Sequence, residues 1–178
     1  MPDTQWPRFE VFKQDSPQEP FRSIGAIHAP DSEMALLNAR DVHVRRPDCV
    51  GLWVVRADAI YSRTAEELVQ TPEETAPLIA DTDGAPQTYY VFQKTSQRRS
   101  MTFVTHVGEV IARTSHEALD KARVAFPAGD VFVWWVCPAA AITRSEPEWE
   151  DSWFAPAKEK TYRQQAFYHN VERKAQKG

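Results

Sequence analysis

Apolar and polar residues alternate along this chain in runs that recur about 80 positions apart. Phe9-Glu10-Val11-Phe12 and Tyr89-Tyr90-Val91-Phe92 each open a stretch with the period of two expected of a half-buried strand. Ile24-Gly25-Ala26-Ile27-His28-Ala29 then lines up with Val107-Gly108-Glu109-Val110-Ile111-Ala112, each after a polar, turn-like stretch (15–20 and 95–99). Each copy is therefore predicted to begin with a hairpin. The period next changes to that of a helix. Asp31-Ser32-Glu33-Met34-Ala35-Leu36-Leu37-Asn38-Ala39-Arg40 matches Thr114-Ser115-His116-Glu117-Ala118-Leu119-Asp120-Lys121-Ala122-Arg123, with Ser, Ala, Leu, Ala and Arg coinciding. Thr114 with Glu117 has capping-box spacing, and Asp31 is placed to cap the first helix. Ala35 with Ala39, and Ala118 with Ala122, give each helix a face of small side chains one turn apart, suited to close approach to a sheet. Pro47 and Pro127 forbid further helix.

A third strand closes each copy, Leu52 to Ile60 against Trp134 to Ile142, with Trp53 on Trp135. The predicted fold class is thus α+β: two tandem β-β-α-β repeats, each a small antiparallel or mixed sheet with one helix on one face, packed together, plus an extended C-terminal tail. The boundaries fall at 1–63 for the first repeat, 64–86 for an acidic, proline-containing linker, 87–145 for the second repeat and 146–178 for the tail. The offset drifts from 80 to 83 to 82, which puts the length changes in the hairpin turn and the helix-to-strand loop, where they are tolerated. Val131 to Cys137 is apolar without alternation, and a strand of that kind is buried on both faces. Either the two copies cover each other, or part of this surface docks another chain, with Trp134 and Trp135 as anchors.

Composition narrows the functional classes. A formal charge of -4 over 178 residues offers no broad attraction for nucleic acid or an anionic membrane. No apolar run approaches the roughly 18 residues that span a bilayer, and the polar start MPDTQWPRFE does not resemble a signal peptide, so a cytoplasmic location is expected. Cys49 and Cys137 stand apart, without metal-ligand spacing, and are expected to be reduced thiols on or beside strands. Thirteen prolines against six glycines suit extended connections more than phosphate loops.

The sequence lacks G-x-S-x-G, a P-loop, G-x-G-x-x-G and H-E-x-x-H; His116-Glu117 is followed by Asp120 where a second histidine would be needed. The five histidines (His28, His43, His106, His116, His169) are scattered, and His28 suits a strand end. No Glu-x-x-His pair is present for a carboxylate di-iron centre. No catalytic, cofactor-binding or metal-ligating residue is therefore assigned. Arg45-Arg46 and Arg98-Arg99 fit a solvated helix end and a hairpin turn, or a contact with an acidic surface or a phosphate. In the tail, Trp153, Phe154, Tyr162, Arg163, Phe167 and Tyr168 are docking candidates, although the aromatic side chains could equally fold back over the sheet.

Trp6-Pro7-x-Phe9-Glu10-Val11-Phe12, Gly25-x-Ile27-His28-Ala29, Met34-Ala35-Leu36-x-Asn38-Ala39-Arg40-Asp41 and Trp53-Val54-Val55 together resemble the B component of the phenylacetyl-CoA epoxidase, the ring 1,2-epoxidase of phenylacetate degradation. The likeness resumes at Phe154-x-Pro156-Ala157-x-x-Lys160-x-Tyr162-Arg163-x-x-x-Phe167-Tyr168, as though the second copy were inserted within an ordinary B component. The resemblance implies a multicomponent bacterial oxygenase. In it one helical subunit carries a di-iron centre, a related helical subunit is structural, and a flavin and iron–sulfur reductase supplies electrons. The B component bridges catalytic pairs without a cofactor or catalytic residue of its own. The other reading is a β-sheet binding module for nucleic acid or a small ligand, stacking bases on residues such as Tyr89 and Phe92, although an acidic chain lacks the usual basic groove.

Overall fold

The computed structural model describes residues 5–44, 49–70, 85–96 and 104–156. Strands β1 (Arg8–Gln14) and β2 (Arg22–His28) form the first hairpin, followed by helix α1 (Ser32–His43) and strand β3 (Gly51–Arg56). The second repeat follows the same order with β5 (Gln87–Lys94), β6 (Thr105–Ala112), α3 (Ser115–Ala125) and β7 (Val133–Pro138). The caps are those the sequence predicts. Asp31 accepts from the Met34 N–H at 2.8 Å, and Thr114 from the Glu117 N–H at 3.2 Å, while Glu117 reaches back to the Arg113 N–H at 2.8 Å. Ala35 and Ala39, like Ala118 and Ala122, are fully buried on the helix faces that meet the sheet.

The third strands are shorter than the sequence suggests. A 3-10 turn (Ala57–Ala59, and Ala139–Ala141 in the second repeat) ends each one and turns the chain into a fourth strand, β4 (Tyr61–Thr64) or β8 (Ile142–Arg144). These fourth strands are exchanged. The single eight-stranded sheet runs β4-β7-β5-β6-β2-β1-β3-β8, so the first repeat's β4 pairs with the second repeat's β7, and β8 pairs with β3. The two registers are equivalent: Val54 faces Thr143 in one, and Val136 faces Tyr61 in the other, each residue replaced by the one 82 positions away. Among the described residues β2 and β6 share one pair, Arg22 with Thr105, which lies on the approximate two-fold axis relating the repeats. The expected linker also begins as structure, because helix α2 (Ala65–Gln70) follows β4 directly. Its start is a capping box between Thr64 and Glu67, with bonds of 2.8 and 3.1 Å.

The sheet is folded over on itself. β1 and β5 are three strand spacings apart, about 14 Å in a flat sheet, yet the rings of Phe12 and Phe92 stand 4.4 Å apart. The inner faces of the two halves therefore meet. Each repeat has a core under its own helix, containing Phe9, Val11, Leu36 and Val54 in the first and Tyr89, Val91, Leu119 and Val136 in the second. A third cluster between the halves holds Phe12, Val55, Phe92, Val104, Cys137 and Ile142. The third strands are apolar on both faces for this reason: one face meets the repeat's own helix and the other meets the opposite repeat. Burial at this joint pushes the Cys137 thiol up to about 12, and burial likewise pushes Cys49 to about 11, so both stay protonated thiols at neutral pH.

Both hairpins carry the same β-bulge, between Val11 and Phe12 and between Val91 and Phe92. Opposite it sit Gly25 and Gly108, at φ of 140° and 153°. A side chain at Gly108 would also place its Cβ 2.5 Å from the Phe126 ring, whereas at Gly25 the nearest atom is His43 Cε1 at 3.4 Å.

Candidate partner-docking surfaces

Three surfaces stand out above this framework. The first is the cleft at the mouth of the joint. Gly51 has no Cβ, and one placed there would stand 2.8 Å from the Phe21 ring; the ring occupies that space and stacks on Trp53 at 3.6 Å and 15°. Across the joint, Tyr90 lies 5.3 Å from Trp53, and His106 fits between them at 4.9 Å from Tyr90 and 5.3 Å from Trp53. Burial among these rings lowers the His106 pKa, and its Nε2 is buried with no hydrogen-bond partner among the described residues. Exposed Arg144, from β8, lays its guanidinium 5.4 Å over Trp53 and 5.0 Å over Tyr90, and donates to the Tyr90 hydroxyl at 2.8 Å.

The second surface lies where the chain leaves β8. Because β8 belongs to the first repeat's half of the sheet, the segment after it is delivered onto the first repeat. Pro147–Trp149 and Glu150–Phe154 form two short helical turns there. Phe154 is 1% exposed within the first repeat's core, Trp149 and Trp153 stack at 4.5 Å against that core, and Arg40 of α1 covers the Trp153 ring at 5.1 Å. Helix α2 makes the reciprocal contact, with Leu68 packed against the second repeat's core.

The third surface is an apolar groove on the second repeat, between α3 and β6, lined by Val110, Ile111, Lys121 and Val124, with Ile111 and Val124 strongly exposed.

The sequence-derived candidates divide across these surfaces. Trp134 lies under α3 at 5% exposure, in the second repeat's core, and Trp135 is half-buried at the joint, edge-on to Phe12 at 6.3 Å. Phe154 is core and Trp153 is half-buried beside it. Tyr162, Arg163, Phe167 and Tyr168 lie outside the described residues, as do Arg45-Arg46, Arg98-Arg99 and His169. Tyr89 and Phe92, which a base-stacking module would present, are 0% and 1% exposed. His28 holds the strand end as expected, its Nδ1 2.8 Å from the Trp6 carbonyl oxygen, while His116 contacts Tyr61 at 3.2 Å and so ties α3 to the exchanged strand β4. The cluster of Phe21, Tyr90, His106 and Arg144 around Trp53 was not anticipated from sequence. The signal it leaves there is that positions matching across the repeats differ in kind: Tyr90 matches Glu10, His106 matches Ser23 and Arg144 matches Ser62.

No helix among the described residues is long and apolar enough to cross a membrane, and no three His, Cys, Asp or Glu side chains among them cluster as metal ligands would. Comparison with known proteins gives one family, Phenylacetic acid degradation B, whose model matches twice, over residues 5–77 and 86–175. The two matches follow one another along the chain, so the family unit occurs in it twice. The B component of the 1,2-phenylacetyl-CoA epoxidase of Escherichia coli (strain K12) is 40% identical over 67 residues, which cover 38% of this chain and 70% of that protein. No solved structure matches the chain. The chain belongs to the Phenylacetic acid degradation B family, in a form that carries the family unit twice.

Proposed function

We propose that this chain is a cytoplasmic, non-catalytic bridging subunit of a bacterial multicomponent di-iron oxygenase that epoxidises the aromatic ring of phenylacetyl-CoA. Its partners in this reading are the catalytic di-iron subunit and the related structural helical subunit, and it carries no cofactor itself. The observation that carries the reading is the reciprocal exchange of β4 and β8 in a chain built from two family units. Exchange binds the two units through paired backbone and a shared apolar joint, and it leaves helices α1 and α3 on opposite halves of one sheet. A bridge needs this: two faces held at a fixed separation, so that binding at each is not lost to motion between them.

Docking is assigned to the Trp149–Trp153 stack with Arg40 on the first repeat and to the tail residues Tyr162, Arg163, Phe167 and Tyr168 beyond it. Aromatic and arginine side chains are the usual anchors of such contacts. Co-expression of the tagged chain with the two helical oxygenase subunits tests the reading. Both should co-purify in fixed stoichiometry through size-exclusion chromatography, while the isolated chain should contain no stoichiometric iron or flavin by elemental and absorbance analysis. Failure of both subunits to co-purify, or a full complement of metal in the isolated chain, overturns it.

A further inference from the structure

We propose that Arg144 is a pre-organised anchor for an acidic side chain of a protein partner, received in the cleft where β8 of the second repeat lies along β3 of the first. The partner's identity rests on the bridging reading above; the carboxylate chemistry does not.

Four other arginines already have carboxylates: Arg8 with Glu10, Arg22 with Asp15, Arg40 with Asp41 and Arg56 with Asp58. Arg144 has none among the described residues. Its contacts are two ring faces and one phenol oxygen. Ring faces hold a guanidinium by its flat side and leave its N–H edge for planar, bidentate recognition of a carboxylate. Of its five donors, the Tyr90 hydroxyl takes one. The rings are themselves fixed, Trp53 by the Phe21 stack and Phe21 by the space above Gly51. Little side-chain entropy remains to be lost on binding, which is the condition under which one exposed arginine contributes measurably.

The cleft has room for the incoming group, about 580 Å³, bordered by Phe21, Trp53, Arg144, Ser145, Glu146 and Glu150. The two glutamates disfavour a free small anion. They favour a carboxylate carried on a protein surface that brings a basic neighbour to meet them, a charge-complementary pair. The positions related by the two-fold axis are Ser62, Trp135 and Glu10, with no cation among them. Among the described residues the symmetry-related position thus lacks this anchor, and the two halves of the bridge are not interchangeable.

A blocked peptide carrying one glutamate and one lysine, titrated into the full-length chain against the same peptide with glutamine, tests the anchor by NMR of the Trp53 indole and the Arg144 Nε–H. The glutamate peptide should give saturable shifts at both signals. Arg144→Gln should weaken its binding at least tenfold with the melting temperature unchanged, and Arg144→Lys, which keeps charge but loses the fork, should fall between. Equal shifts from both peptides, or unchanged affinity in Arg144→Gln, overturns the proposal. A co-purification arm separates this inference from the bridging reading. If the wild-type chain binds the glutamate peptide but captures no oxygenase subunit, the bridging reading falls and the anchor stands. If Arg144→Gln captures the subunits as tightly as wild type, the anchor falls and the bridge stands.

Discussion

Glu10 and Tyr90 occupy the same place in the two repeats, the inner face of the first strand one residue past its start of pairing with the third, and they have opposite surroundings. Glu10 is 5% exposed, answered only by Arg8 at 2.5 Å among the described residues, and burial raises its pKa. Tyr90 lies among Trp53, His106 and Arg144. The backbone has preserved the duplication down to register, bulge and glycine, and the joint keeps Phe12 with Phe92 and Trp53 with Trp135, while Glu10 against Tyr90 and Ser23 against His106 have diverged. Pairing geometry is dictated by backbone hydrogen bonds that every residue except proline supplies in full, so it survives most substitutions. Most of the joint's side chains pack across the two copies, and once both copies reside in one chain they are free to differ. A duplicated bridge thereby acquires two distinguishable ends.

The largest expected contrast lies at the two bulge glycines. Gly108→Ala meets both a forbidden backbone angle and the Phe126 ring, whereas Gly25→Ala meets the angle alone. Gly108→Ala is expected to cost about 3 kcal/mol and Gly25→Ala about 1–2 kcal/mol, read from urea unfolding midpoints at constant slope. Equal losses at the two sites would show that the second repeat is no more tightly closed than the first.

A smaller and opposite pair of effects belongs to Glu10 and His106. The His106 pKa is lowered by folding, so above the unfolded value of about 6.5 the group is neutral in both states and costs nothing. As pH falls from that value toward the lowered folded one, the unfolded chain takes up more protons and stability declines. Glu10 behaves in reverse: its raised folded pKa penalises the fold while the carboxylate is charged, and stability returns as pH falls from the raised value to the ordinary one of 4.5. Thermal melts across this range should lose the first slope in His106→Phe and the second in Glu10→Gln. A single substitution that removed both slopes would mean the two sites titrate as one, contrary to the divergence.

Much of this architecture was legible because its signals are local. The hairpins and helices follow from periods of two and of 3.6 within each copy, and the match of Trp53 to Trp135 across the repeats fixes the third strands. The fourth strands were not legible: Tyr61–Thr64 and Ile142–Arg144 are too short to show a period, and the alanine turns before them read as continuing strand. The exchange was hidden for a different reason, since which edge a strand joins is a long-range choice that no local pattern encodes. Its consequence decides the fate of the tail aromatics, for only the exchange sets Phe154 inside the first repeat's core. Arg144 escaped notice because it is an ordinary arginine until the second repeat's strand is placed beside Trp53.

The smallest expected effect on stability, with the largest proposed effect on assembly, comes from removing residues 157–178. The first repeat is already closed by Phe154 and the Trp149–Trp153 stack, just as the second is closed by Leu68 of α2, so a cut after Pro156 leaves both cores intact. The truncated chain should melt within a few degrees of the full-length one. Cutting before Trp149 should instead expose the core under α1 and, through loss of buried Phe154 alone, cost about 3–5 kcal/mol. If the tail aromatics anchor a partner, each contributes on the order of 1–4 kcal/mol when removed, and the cut after Pro156 should weaken capture of the oxygenase subunits tenfold or more. Isothermal titration with both truncations separates the two roles. Unchanged affinity after the cut at Pro156 would remove the tail from the interface and leave docking to Arg40 and the tryptophan stack, whereas loss of folding would make the tail part of the first repeat's core.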